Sequence, residues 1–438
     1  MPSVSPLRNL RIEDYSYPLP DGRIALYPLA ERDASKLLVY RGGEPEVSVF
    51  RNIGSFLPES ALLVFNDTRV VHARLVFCKE QAGAGKGQPG ARIEIFCLEP
   101  TLPAEIATAF AASGSCRFKC LIGNNKRWKE GALRMEFPIE DANGTPTGRT
   151  GVLQARKTAS FEDCFEVEFS WDPAPLSFAQ VLEQAGKVPL PPYIHRQAEE
   201  SDKTRYQTVF ARFDGSVAAP TAGLHFTPQV LQGLKDAGIE QDFITLHVGA
   251  GTFRPVKAER IGGHAMHYEH ILATEGLVRH LLDALKSGRP VVPVGTTSMR
   301  SLESLYWIGL KLLENVFPAT ESESEPVFGV HQWEAYETFA EARKRISPEA
   351  ALEALLAYME THRVKRIHGH TALMIAPGYE FALCRGIVTN FHQPQSTLLL
   401  LVSALIGPVW RYLYTFALNN DFRFLSYGDS CLFLPPAR

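Results

Sequence analysis

Four apolar runs in this 438-residue chain stop abruptly on polar loops. Ala61-Leu-Leu-Val-Phe65 ends at Asn66-Asp67-Thr68-Arg69, and Phe243-Ile-Thr-Leu-His247-Val248 ends at Gly249-Ala-Gly251-Thr252-Phe253. Val291-Val-Pro-Val-Gly295 runs into Thr296-Thr297-Ser298, and Gly386-Ile-Val-Thr-Asn390-Phe391 runs into His392-Gln-Pro394-Gln395. Short apolar runs bounded by turn signals predict buried strands. After the last two, hydroxyls stand where they can cap a helix, with Arg300 in the first turn of one and Ser396-Thr397 opening the other. Strand, polar loop, helix, repeated, predicts a mostly parallel sheet whose loops meet at one end, where open α/β folds hold ligands.

Between about 73 and 171 the texture changes. Short alternating stretches at Ala73–Phe77, Ala91–Leu98, Cys116–Ile122, Leu133–Phe137, Val152–Ala155 and Phe165–Phe169 are separated by Gly, Pro and Asn, with one weak helical pattern near 103–112. This predicts a small antiparallel β-barrel or sandwich inserted into an α/β protein. The domains are then 1–72 with 172–438 as the α/β main domain, and 73–171 as the insert. Helical patterns recur near 176–185, 302–315 and 348–361. The last two flank the acidic piece Thr320-Glu-Ser-Glu-Ser-Glu325, so 309–366 reads as a surface excursion.

Composition narrows the class without naming a function. With 45% hydrophobic and 21% charged residues and a net charge of -3, the chain is an ordinary globular protein. Nothing global attracts a polyanion, so a nucleic-acid partner has to be met by local patches. One such patch is Lys126-Arg127-Trp128-Lys129, whose indole is placed to stack a base. Seven scattered Cys, none at zinc-knuckle spacing, read as reduced thiols of a cytoplasmic protein. The N-terminus lacks the pattern of a signal peptide, and the apolar run Thr397–Val409, broken by Gly407-Pro408, reads as a core helix. His264 and His267 are three apart with Glu269 beyond both, which is not the spacing of a hydrolytic zinc helix.

The candidate chemistry centres on Gly215-Ser-Val-Ala-Ala-Pro-Thr221-Ala-Gly223-Leu-His225-Phe-Thr227. Its small residues leave a backbone that either packs closely or lets a ligand lie against it. Thr227-Pro228 then opens a helix. His225, His247 and His392 all lie in or beside Gly- or Pro-punctuated loops, where an imidazole serves chemistry more often than packing. Arg69 and Arg300, just past strand ends, are placed as anion clamps.

Longer motifs span the chain: Tyr27-Pro-Leu-x-Glu31-Arg-Asp-Ala-Ser-Lys36, Phe65-Asn-Asp-Thr-Arg69-Val70, Leu190-Pro-Pro-Tyr-Ile194, Tyr206-Gln-Thr-Val209 and Ser216–Thr227. They continue with Leu246–Phe253, His264-x-Met-His-x-Glu269, Gly295-Thr-Thr-Ser298 with Arg300, Pro377–Phe381, Thr389-Asn-Phe-His392 and Ser426-Tyr-Gly-Asp429. In this order they resemble the S-adenosylmethionine:tRNA ribosyltransferase-isomerases of queuosine biosynthesis. The resemblance implies an α/β barrel-like domain with an inserted β-barrel. It also implies transfer of the ribosyl part of S-adenosylmethionine to 7-aminomethyl-7-deazaguanine at the tRNA wobble position. The sugar is isomerised to give epoxyqueuosine, and adenine and methionine leave.

The partners implied are S-adenosylmethionine as co-substrate, with no other cofactor and no metal, and tRNA with a GUN-type anticodon. A cytoplasmic monomer without a membrane is expected. Either His225 or His247 is expected to remove the C5′ proton made acidic by the sulfonium. Asp67, Thr68, Arg69, Tyr206, Thr221, Gly223, Gly249, Gly251, Thr252, Thr297 and Arg300 are expected to bind substrate, with Asn390 and His392 completing the pocket. Two positions depart from the family pattern: Gln395, where a Lys or Arg is usual, and Ala372, where an Asp is usual. They leave two alternatives open, an inactive tRNA-binding paralogue or a related transferase acting on a different nucleotide.

Overall fold

The structure is a computed structural model that describes residues 6–78, 91–141, 145–161, 164–247, 256, 258–317 and 326–436. The chain opens with β1 (Lys36–Tyr40), β2 (Glu46–Val49), β3 (Leu62–Asn66) and β4 (Thr68–Val70). Then come β5 (Arg74–Cys78), β6 (Arg92–Leu102), α1 (Ile106–Ala111), β7 (Ser115–Gly123), β8 (Leu133–Glu140), β9 (Pro146–Ser160) and β10 (Phe165–Asp172). After these lie α2 (Phe178–Ala185), α3 (Asp202–Arg205), β11 (Phe213–Ser216), α4 (Pro228–Asp236), β12 (Glu240–His247), β13 (Glu269–Thr274), α5 (Glu275–Lys286) and β14 (Val291–Pro293). The rest is α6 (Thr296–Leu313), β15 (Val327–Val330), α7 (Glu334–Glu337), α8 (Ala340–Arg343), α9 (Pro348–His362), β16 (Arg366–Thr371), β17 (Ile387–Asn390), α10 (Thr397–Ile406), α11 (Trp410–Asn419) and β18 (Ser430–Phe433).

One sheet has the order β14-β3-β12-β13-β16-β15 and another β17-β18-β1-β2, while β11 pairs with β4. Parallel bridges Val294↔Val388 and Val291↔Cys384 join β14 to β17, so the two larger sheets run on into each other. Every residue of β3 is buried between its parallel neighbours β12 and β14. That is why its apolar run shows no alternation. The expected parallel order holds for β12, β3, β14 and β17, whose exits therefore share one end. Elsewhere the pairing is mixed: β13 is antiparallel to β12 and β16, and β17 to β18, while β1–β18, β15–β16 and β11–β4 are parallel.

The second half of the fold class is a nearly closed antiparallel sheet with the order β5-β6-β7-β10-β9-β8. Its strands alternate, as in β7, where Cys116, Phe118 and Cys120 point inward. The two edges, β5 and β8, touch each other, and α2 lies across both. Ser177 and Gln180 close a capping box on α2, and its Phe178 sits among Phe118, Phe169 and Trp171 at centroid distances of 5.0, 5.3 and 5.4 Å. The expected boundary at 171 therefore falls too early, because α2 completes this sheet's apolar core. Trp128 is a second correction: it is 1% exposed, its Nε1 donates to Gly131 O, and it cannot stack a base.

Residues 309–366 are not a surface excursion. They supply edge strand β15 and helix α9, which packs on α6 and α5, and lead directly into interior strand β16. The helices approach so closely that a Cβ at Gly309 would lie 2.0 Å from Ala351 O. The acidic piece at 320–325 lies outside the described residues. Thr397–Asn419 is long and apolar enough, by length and composition, to cross a membrane; α10 within it is buried from Leu399 to Ile406 in the main core.

Candidate active site

The exits of β14 and β17 open onto one cleft, whose empty volume, open mouth included, is about 910 Å³. Its walls are the loop from Ala218 to Ala222, the start of α6 at Gly295–Thr297, and the segments Thr389 to Pro394 and Ser396 to Leu398, with Tyr193, Leu425 and Ser426 at the side. None of the lining residues carries a formal charge. Two helix N-termini face it. Gly295, at φ 97, starts α6 without a side-chain cap, whereas Ser396 Oγ caps α10 by accepting from Leu399 N. Helix starts carry partial positive charge and free N–H donors, so this neutral cleft favours an anionic group.

A hydrogen-bonded chain runs behind the wall. Thr221 Oγ1 donates to Asn390 Oδ1 at 3.1 Å, and Asn390 Nδ2 donates to His225 Nε2 at 3.0 Å. His225 Nδ1, 2.8 Å from Ser35 Oγ, then carries the proton and donates to that hydroxyl. His225 is 4% exposed and lies 5.0 Å from the Phe50 ring. Both its nitrogens are thus committed, and it meets the cleft only through Asn390. His392 reaches the cleft directly. Its Nε2 lies 2.9 Å from Thr389 Oγ1, its backbone N–H bonds to Tyr414 Oη, and Tyr17 Oη donates to its carbonyl.

Burial pushes His225 down to about 4 and His392 down to about 3 from the ordinary 6.5. Both are therefore neutral in the fold. A His with a depressed folded pKa contributes stability that is whole above 6.5 and is lost as pH falls below it. At pH 5.5 each costs about 1.4 kcal/mol relative to neutral pH, roughly 3 kcal/mol together. We expect the urea midpoint to fall accordingly between pH 7.5 and 5.5, and the slope to flatten in a His225→Gln/His392→Gln double variant. An equal slope in both proteins would locate the loss elsewhere.

The other expected residues divide. Thr221, Thr297, Asn390 and His392 come together at the cleft. Gly249, Gly251 and Thr252 lie outside the described residues. Gly223 does leave room, but for the protein itself: a Cβ there would meet Phe210 Cζ at 2.8 Å and Thr208 Cγ2 at 2.9 Å. The bareness of Gly215 serves His247 in the same way, since a Cβ would lie 2.4 Å from His247 Nδ1. His247 lies on β12 opposite His270, away from the cleft-lining set, and burial pushes it down to about 4.

Both arginines are corrected. Arg69 is on the outward face of β4, 3.5 Å from Glu183 and 3.8 Å from Asp214, because Thr68 and Val70 take the inward positions. Arg300 is buried against Glu269 at 3.4 Å, one helical turn behind the cleft. Asp67 accepts from Thr245 Oγ1 at 2.7 Å, with burial raising its pKa, and ties β3 to β12. Thr68 is buried and donates to Phe213 O at 3.4 Å. Tyr206 is fully buried edge-on to Tyr427.

Sequence reasoning gave no role to Tyr193 or Ser426, whose hydroxyls lie 2.6 Å apart at the cleft side. Their signal was only a hydroxyl inside a longer motif. Ser35, inside the Tyr27–Lys36 motif, had the same signal and no role, and Glu303 was missed altogether. Glu303, on α6, is 0% exposed and accepts from Tyr379 Oη and from the backbone N–H groups of Ala382, Leu383 and Cys384. It thereby ties down the loop that feeds β17 and Asn390.

Residues 12–433, almost the whole chain, match the family described as queuosine biosynthesis protein. The chain belongs to that family. Among curated members it is 35% identical over 428 residues to the S-adenosylmethionine:tRNA ribosyltransferase-isomerase of Halothermothrix orenii, covering 97% of this chain and 100% of that one. It is 36% identical over 429 residues to the protein of the same name from Caulobacter vibrioides, covering 97% and 98%. Among solved structures, the S-adenosylmethionine tRNA ribosyltransferase of Thermotoga maritima matches at 25% identity and a TM-score of 0.44, over 96% of this chain and 100% of that chain. Gln395 and Ala372, the departures from the family pattern, both lie off the cleft wall. Gln395 is exposed at φ 56, and Ala372 is 2% exposed at the end of β16.

Proposed function

We propose that this queuosine-biosynthesis enzyme binds S-adenosylmethionine in the cleft and transfers its ribosyl part, with isomerisation, to the aminomethyl group of 7-deazaguanine at the wobble position of GUN-anticodon tRNAs. Adenine and methionine are released. The single observation that carries this reading is the neutral cleft set between two helix N-termini. The methionine carboxylate lies at the uncapped start of α6, where Gly295 lets the backbone approach. The hydroxyls of Thr297, Thr389 and Ser426 meet the ribose, and Asn390, held by Thr221 and His225, orients it.

In this reading His392 takes the C5′ proton, which is supported by its being the one of the three loop histidines that lines the cleft. His225 is a positioning residue, because it acts through Asn390. The antiparallel sheet of β5–β10, closed by α2, serves as an inserted domain beside this site.

The test is to incubate the protein with S-adenosylmethionine and tRNA carrying the aminomethyl precursor, and to follow free adenine by chromatography. We expect adenine and methionine in equal amounts, dependent on that tRNA. Binding of the tRNA without adenine release would favour the inactive paralogue. Release only with another modified nucleotide would favour the related transferase.

A further inference from the structure

A second groove, with an empty volume, open mouth included, of about 970 Å³, lies at the seam where the antiparallel sheet meets the main body. The seam is made by the backbone: Arg74 and Lys187 exchange N–H···O bonds of 3.3 and 2.8 Å across it. Arg74, Arg92, Lys187 and Arg196 all line the groove, against the single carboxylate Glu94. Arg74 is paired with Glu94, and Arg196 is held by Asp202 through two bonds of 2.7 and 2.8 Å. Arg92 and Lys187 are exposed, and among the described residues neither makes an ion pair. Asn124, at φ 57, fixes one wall by donating to Arg92 O at 3.0 Å.

The chain as a whole has a net charge of -3. A polyanion is therefore not drawn to it indiscriminately, and two uncompensated cations in one groove form a local exception. The groove is also joined to the cleft. Tyr193 lines the cleft, and Arg196, three residues along, lines the groove. Three residues reach at most about 11 Å. The two sites thus share one short segment, 187–198.

We propose that this groove receives the sugar-phosphate backbone of the RNA next to the nucleotide held in the cleft, with Arg92 and Lys187 contacting phosphates. This rests on the reading of the cleft as the site of tRNA modification. Base-edge recognition is not required of it. Arg92 and Lys187 contribute affinity that depends on salt and not on sequence.

The experiment is to measure binding of the precursor-bearing tRNA by fluorescence anisotropy from about 50 to about 200 mM KCl. The proteins are wild type, Arg92→Gln, the Arg92→Gln/Lys187→Gln double variant, and Arg134→Gln. Arg134 is exposed on β8 beside Glu136 and outside the groove, so it controls for loss of charge in general. Removing one cation from a phosphate lowers the slope of log K against log salt by roughly 0.7 for a single strand. We expect the double variant to lose roughly 1.4 in slope, the single variant about half of that, and the control nothing.

Arg92→Gln alone keeps the test valid should the double variant melt early by circular dichroism. An unchanged slope in the groove variants, with a wild type that binds the tRNA and releases adenine, overturns this proposal and leaves the function of the cleft standing. A wild type that releases no adenine from any precursor tRNA overturns the cleft reading, and the groove proposal falls with it.

Discussion

Replacing His392 by Ala leaves a folded protein that releases adenine about 100-fold more slowly, toward the low end of the range for losing a general base. The low end follows from its pKa. An imidazole held down to about 3 is neutral at every working pH, so it accepts a proton without first losing one, but its driving force is small. The loss should appear in kcat, since His392 acts on the reacting proton, with little change in KM for S-adenosylmethionine.

His225→Ala should behave differently. It frees the Asn390 amide, so KM rises, and His225→Gln, which restores an acceptor for Asn390 Nδ2, recovers part of the loss. Single-turnover kinetics with precursor tRNA separates the two patterns. If His247→Ala alone removes adenine release while His392→Ala does not, the base lies at the exit of β12 and the assignment to His392 is wrong.

Glu303→Ala is expected to lower stability by about 3 to 5 kcal/mol, because it strands several buried donors at once. Three backbone N–H groups and the Tyr379 hydroxyl point at this one carboxyl, and Trp307 Nε1 in turn donates to Tyr379 Oη at 2.8 Å. The side chain has zero exposure, so bulk solvent does not stand ready to replace the lost acceptor. Glu303→Gln keeps the volume but turns an NH₂ toward N–H donors, and should cost about 1 to 3 kcal/mol. Urea unfolding measures both. A Glu303→Ala protein within about 1 kcal/mol of wild type would mean that the 379–386 loop repacks, and that Asn390 is held by β17 alone.

The strands were legible because their signal is local. The period-two alternation of β7 and the unbroken apolar run of β3 are readable from neighbouring residues alone. Two hydroxyl caps were legible for the same reason: Ser396 and Thr227 cap α10 and α4, bonding to Leu399 N and Val230 N, whereas the cap expected from Thr296–Ser298 is not made, because Gly295 takes the cap position and those hydroxyls fall inside α6. Arg69 and Arg300 were misread because position relative to a strand end says nothing about which carboxylate the fold brings near. Glu183 lies 114 residues from Arg69, and it takes the tertiary structure to bring them together. The same limit hid Glu303, whose partners lie 76 to 81 residues away.

What the chain's own order of residues determined, then, is the set of elements, the family to which it belongs, and the fact that several strand exits carry polar loops. Which of those loops share a cleft was decided only by the tertiary structure. Asn390 touches His225 across 165 residues of chain, and His225 touches Ser35 across 190. The physical reason is that secondary structure follows from short-range periodicity and capping. A site depends on sheet order and on which buried polar group finds which partner, and those choices are made only when the sheets close on a common core.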